Sequence, residues 1–123
     1  MAKKRQSILI IEDEANIANA QKLILGEDYN VSVAYDGETG IQKIHELKPN
    51  LIVLDLMLPN RGGYDVCFNV RQDPALKGTK ILMVTALNQA VDKQKGVMVG
   101  TDAYLTKPFE PHQLLDAVRK LLS

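Results

Sequence analysis

Three short stretches of this chain are apolar without interruption: Ile8–Ile11, Leu51–Leu54 and Ile81–Val84. A strand with one face in water alternates apolar and polar side chains. Unbroken runs instead predict strands buried on both faces, as in a parallel sheet covered on both sides. The intervening segments fit that reading. After the first run, Ile17, Ala20 and Ile24 fall at helical spacing, and Gly26 can stop the helix. Val31-Ser32-Val33 alternates, which suits an edge strand. Ile41, Ile44 and Leu47 predict a second helix ended before Pro49, and Pro59–Gly63 reads as a loop. Val66, Cys67 and Val70 give a third helical face, broken at Asp73-Pro74. Residues 88–99 form the weakest helical pattern, with Val91 isolated and Gly96 inside it. Ala103–Leu105 is a short last strand, and Leu114, Leu115, Val118, Leu121 and Leu122 define the strongest amphipathic helix. Five strands and five helices in strict alternation predict an α/β fold, a doubly wound parallel sheet with helices on both faces.

Composition narrows the class. A chain of 123 residues supports one core, so a single domain over 1–123 is expected, with 1–6 a flexible basic N-terminus. Apolar residues at 46% and charged residues at 24% are globular values. No apolar run approaches the roughly 20 residues needed to span a bilayer. The run after Met1–Gln6 is also shorter than the roughly 7–15 residues of a secretory core. The expectation is a soluble cytoplasmic protein without membrane contact. Fifteen basic residues balance fifteen acidic ones, so no direct nucleic-acid binding is expected. Cys67 is the only cysteine, which excludes an intramolecular disulfide and a cysteine-cluster metal site. Its helical setting reads as a buried structural thiol. His45 and His112 share no metal-ligand spacing and read as surface helix residues.

The chemistry lies where the strands end. The first run leads into Glu12-Asp13, the third strand into Asp55, the fourth into Thr85 and the fifth, through Thr106, into Lys107. In an open parallel sheet these ends share one edge, and ligands bind there at the topological switch point. Carboxylates about 5 Å apart repel by roughly 3 kcal/mol per pair at an effective dielectric of 20. Three together call for cations. Lys107 supplies one charge, and an oxygen-only donor set favours Mg²⁺ over zinc for the rest. The competing structural reading makes each carboxylate a helix cap. It is open for Asp13, which precedes a helix, but poor for Asp55, which is followed by Leu56–Pro59. No phosphate-binding loop of the G-x-x-x-x-G-K-[ST] type and no G-x-G-x-x-G after a strand occurs. A haloacid dehalogenase-type phosphatase would place a second aspartate where Met57 stands.

These residues carry a resemblance. Ile10–Glu14, Leu54–Pro59, Gly63, Val84-Thr85-Ala86 and Gly100–Phe109 stand in the order and spacing of the receiver domain of two-component response regulators. The resemblance covers nearly the whole chain. It implies a flavodoxin-like sheet of order 2-1-3-4-5 and a phosphorylation switch. Asp55 matches the acceptor that takes a phosphoryl group from a sensor histidine kinase or phosphotransfer protein. Asp13 and Asp55 match direct Mg²⁺ ligands, with the Met57 carbonyl as a third and Glu12 acting through a metal-bound water. Lys107 matches the residue that pairs with the phosphoryl oxygens, and Thr85 the hydroxyl that meets the phosphoryl group. Tyr104 matches an aromatic switch coupled to Thr85. Output to an effector protein or domain is implied through the fourth helix, fifth strand and fifth helix. Met57 and Leu87 match the variable positions flanking the acceptor, and a cis Lys107–Pro108 peptide is implied. No enzyme acting on an external metabolite is implied, only assistance to the domain's own phosphorylation and dephosphorylation. The charge set used for dimerisation in the DNA-binding branch is incomplete: Lys93, Lys95 and Asp102 are present, but Met98, Ala103, Gln113 and Ala117 are uncharged. The alternative is a phosphorylation-independent interaction module on the same fold. Retention of Glu12, Asp13, Asp55, Thr85 and Lys107 argues against it.

Overall fold

The computed structural model describes residues 5–59, 61–86, 95 and 99–123. Strands β1 (Ser7–Ile11), β2 (Asn30–Ala34), β3 (Leu51–Asp55), β4 (Lys80–Ala86) and β5 (Ala103–Lys107) form one parallel sheet in the order β2-β1-β3-β4-β5. Helices α1 (Ala15–Leu25), α2 (Gly37–Leu47), α3 (Gly63–Arg71) and the C-terminal α4 (Pro111–Leu122) connect and flank the strands, with a short 3₁₀ turn at Pro74–Leu76. Lys95 and Val99 apart, the helix expected over 88–99 lies outside the described residues, and so do residues 1–4 of the expected N-terminal tail. Arg5 donates to the Gly26 carbonyl at 3.1 Å, and the Gln6 carbonyl accepts from the Asn30 amide at 3.0 Å. Among the described residues, no helix is long and apolar enough to cross a membrane.

The unbroken apolar runs have the predicted cause. Leu9, Ile11, Ile52, Leu54, Ile81 and Met83 face one core layer, closed by Ile44 of α2 and by Val66, Cys67 and Val70 of α3. The alternate residues Ile8, Ile10, Leu51, Val53, Leu82 and Val84 face the other, closed by Ala18 and Leu25 of α1 and by Leu114 and Val118 of the C-terminal helix. Both faces of β1, β3 and β4 are therefore dry, while β2 and β5 form the half-exposed edges.

One predicted face is rotated. The buried residues of α1 are Ala18, Gln21 and Leu25, whereas Ile17 and Ile24 are half-buried and Ala20 is exposed. The helix turns about 100° per residue, and Gln21 on the inward stripe conceals it from an apolar pattern. At the other end of the crevice, Gly63 opens α3 against the end of β3. A Cβ there would stand 2.6 Å from the Asp55 carbonyl oxygen and 2.8 Å from Leu56 Cα. Only glycine lets α3 start so close to that strand end.

Candidate functional site

The strand order reverses between β1 and β3, and parallel register brings the polar strand ends together. Ile11 pairs with Leu54, Asp55 with Val84, Thr85 with Thr106, and Ala86 with Lys107. One oxygen from each of Glu12, Asp13 and Asp55 lies within 4.8 Å of the other two. Glu12 is 1% exposed, Asp55 7% and Thr85 3%, while Asp13 is exposed at the rim.

Lys107 ties the cluster together. Its Nζ donates to Glu12 Oε1 at 2.6 Å and to Asp55 Oδ2 at 3.4 Å. Burial alone would lower the ammonium pKa, but the bond to Glu12 and the charges of Asp55 and Glu12 outweigh burial and hold it above the ordinary lysine value. Asp13 is raised above the ordinary aspartate value, first by loss of water at the rim and then by the neighbouring Glu12 carboxylate. The other oxygens are also engaged. Asp55 Oδ1 accepts from the Met57 amide at 3.1 Å, and Glu12 Oε2 accepts from the Glu14 amide at 3.2 Å. The N-cap of α1 is Glu14, without a side-chain capping bond. Helix capping therefore does not account for Asp13.

Each carboxylate, Thr85 and Lys107 thus sits on the same edge. Thr85 Oγ1 contacts the Ala86 carbonyl at 3.4 Å. The Lys107–Pro108 peptide is cis, as the resemblance implies. Met57 is 64% exposed beside Asp55, and Leu87 lies outside the described residues. The donor set suits a hard divalent cation: among the described residues, three carboxylates with one ammonium between them, one carboxylate being held at the rim.

Tyr104 stands on β5 opposite Met83 and packs against the core layer beneath α3. Its hydroxyl meets that of Tyr64 at 3.3 Å. Burial, then Tyr64, push its pKa well above the ordinary tyrosine value. Nothing in the sequence pairs these two residues, and an apolar-periodicity reading passes over Tyr64 as the residue after a turn glycine. Asp102 is tied inward: its Oδ2 accepts from Arg71 Nη2 at 2.8 Å and from the Ile81 amide at 2.7 Å. Of the rest of the expected output face, β5 and the C-terminal helix are described, and the fourth helix, Lys95 and Val99 apart, lies outside the described residues.

Comparison with known proteins agrees with this geometry. Residues 8–119 match the response regulator receiver domain. The DNA-binding response regulator MtrA of Mycolicibacterium paratuberculosis is 40% identical over 119 residues, covering 96% of this chain and 52% of MtrA. Response regulator ArlR of Staphylococcus haemolyticus is 41% identical over 117 residues, covering 94% of this chain and 52% of ArlR. The chain therefore spans about half the length of these curated relatives. Among solved structures, chemotaxis protein CheY4 of Vibrio cholerae has a TM-score of 0.90 at 28% identity, covering 97% of this chain and 100% of CheY4. The sheet order, the carboxylate edge and the match over most of its length lead to one conclusion: the chain belongs to the response regulator receiver domain family of two-component signalling.

Proposed function

We propose that Asp55 is the phospho-acceptor of this receiver domain and that a sensor histidine kinase or phosphotransfer protein is the donor. The carrying observation is the Lys107 ammonium bridging Glu12 and Asp55 inside a cluster of three carboxylates. Asp55 is nearly buried and held at both oxygens, so its carboxylate is aimed before any donor arrives. One oxygen attacks phosphorus in line. The bond from phosphorus to the donor's imidazole nitrogen breaks, and the imidazole leaves with the electron pair. Phosphoryl transfer needs positioning and neutralised oxygens more than covalent help. Lys107 leaves Asp55 for the incoming phosphoryl oxygens while keeping its shorter bond to Glu12. Thr85, on the adjacent strand, offers its hydroxyl to the same group.

Glu12, Asp13, Asp55 and the Met57 carbonyl are the residues that would hold Mg²⁺. When bound, the ion supplies positive charge against the carboxylates and the phosphoryl oxygens. The domain thus assists its own phosphorylation and dephosphorylation and turns over no external metabolite. Tyr104 passes the change at Thr85 to an effector through the face around β5. MtrA is named as DNA-binding; for this stretch, with balanced charge, we assign output to protein contacts.

The test is incubation with Mg²⁺ and acetyl phosphate, read by intact mass. Wild type should gain one phosphoryl group and Asp55→Asn none. Equal uptake by both moves the acceptor elsewhere. Uptake by neither is the result of a phosphorylation-independent interaction module.

A further inference from the structure

The loop from β3 to α3 carries Met57, whose amide holds Asp55 Oδ1 at 3.1 Å and whose carbonyl belongs to the proposed Mg²⁺ site. Its base is closed by the backbone. The Leu56 amide donates to the Val84 carbonyl and the Gly63 amide to the Leu56 carbonyl, both at 2.8 Å, and Leu58 packs on the core. The far side of the loop is held by another element. Arg61 Nε donates to Glu38 Oε1 at 2.6 Å, and Glu38 stands in the first turn of α2. The backbone of Arg61 lies against the same turn. A Cβ at Gly37 would stand 2.6 Å from the Arg61 carbonyl oxygen and 2.6 Å from the Arg61 Cβ. Any side chain at 37 would push the loop away. The turn itself is fixed by its cap: Asp36 accepts from the Thr39 amide at 2.8 Å and from the Thr39 hydroxyl at 3.2 Å.

Arg61 and Glu38 are both partly exposed, and an ion pair of that kind adds little to global stability. Its effect falls on the loop that it fastens. We propose that the first turn of α2 is the seat of the β3–α3 loop, with Arg61 as its positioning residue, so that Met57 meets Asp55 and a bound divalent ion from a fixed place. The part that concerns the ion rests on the Mg²⁺ reading above; the part that concerns Met57 and Asp55 does not. A site whose competent arrangement is populated for only part of the time binds more weakly by that fraction. Loss of one exposed pair lowers the fraction by about 2- to 5-fold.

Two measurements on ¹⁵N-labelled wild type, Arg61→Ala, Arg61→Lys and Gly37→Ala test it. The first is amide exchange at Met57 without metal. It should run about 2- to 5-fold faster in Arg61→Ala, return most of the way in Arg61→Lys, and run about tenfold faster in Gly37→Ala, where the new methyl meets backbone. The second is Mg²⁺ titration followed by the amide shifts of Asp13 and Met57. Affinity should fall by the same factors, while the urea midpoint of Arg61→Ala stays at the wild-type value. The sign discriminates. By charge alone, removing a cation from this edge would tighten Mg²⁺ binding, so weaker binding reports position. Unchanged Met57 exchange in Arg61→Ala overturns the seat, even if Gly37→Ala fails to fold. Faster exchange with unchanged or tighter Mg²⁺ binding overturns the ion's part of the proposal. A wild type without saturable Mg²⁺ shifts overturns the metal reading, and Met57 exchange still upholds or overturns the seat.

Discussion

Asp55 carries two opposed effects on its side chain: repulsion from Glu12 and Asp13, and attraction to Lys107 at 3.4 Å. Each carboxylate pair is worth roughly 3 kcal/mol gross at an effective dielectric of 20, and the ammonium, at about 5 kcal/mol on the same scale, offsets most of the two pairs together. Asp55→Asn should therefore raise stability by up to about 1 kcal/mol without divalent ions. Added Mg²⁺ should stabilise wild type and leave the variant nearly unmoved. Urea melts with and without Mg²⁺ measure both, and equal stabilisation of the two proteins would remove Asp55 from the ligand set. Met57 bears on lifetime. Hydrolysis of an aspartyl phosphate needs a water in line with the carboxylate oxygen that leaves, and Met57, 64% exposed two residues after Asp55, has an apolar side chain with no group to hold that water. The double variant Met57→Asn, Leu87→Glu should lose its phosphoryl group about tenfold faster, a change of about 1.4 kcal/mol in barrier. Decay of the phosphoprotein with Mg²⁺ present decides this, and unchanged decay means that these apolar side chains do not set the rate.

Helix placement around the crevice depends on a few close contacts. Gly63→Ala puts a methyl into the Asp55 carbonyl, Leu56 Cα and Met83 Sδ, the last at 2.9 Å. Neither backbone atom can yield without moving the strand end. The expected cost is about 1–3 kcal/mol, with slower phosphorylation because Asp55 moves too. A thermal melt and a single-turnover rate would show both, and a change in the melt alone would mean that α3 moves independently of β3. Arg71 fastens the opposite edge of the sheet, donating to the carbonyls of Gly100 at 3.0 Å and Thr79 at 2.7 Å as well as to Asp102. The strand ends that make the site were legible because each polar residue interrupts or follows an apolar run: Asp55 after Leu54, Thr85 after Val84. The inward face of α1 was not, because an amide occupies its middle. The Tyr64–Tyr104 contact was not either, because hydroxyls brought together by α3 and β5 leave no periodic trace along the chain.

Across the molecule, two protonated groups tie folding to alkaline pH. Burial pushes the Cys67 thiol above its ordinary value, against the Thr101 hydrogen bond and the Arg71 charge, which lower it, and burial does the same for Tyr104. For both, the folded state holds its proton more tightly than the unfolded chain. Stability is therefore complete below the unfolded pKa and falls as pH rises through and beyond it. From about pH 8.5 upward, each pH unit should cost wild type up to about 1.4 kcal/mol relative to Cys67→Ala, until the folded thiol itself ionises. Urea melts at several alkaline pH values on both proteins measure the difference. Parallel curves would show that Cys67 ionises alike in both states. The arrangement of strands has a kinetic consequence as well. Glu12, Asp13 and Asp55 stand at the ends of β1 and β3, whose flanks are both paired and whose faces are both dry, whereas Tyr104 stands on β5, an edge strand of half-exposed residues. Amide protons at Ile52–Leu54 should exchange with solvent only when the whole domain opens, and those along β5 through smaller, more frequent openings. The end proposed to receive charge is thus clamped in the slowest part of the molecule, and the strand beside the proposed output face breathes on its own clock, free to change neighbours without the carboxylate cluster letting go of its place.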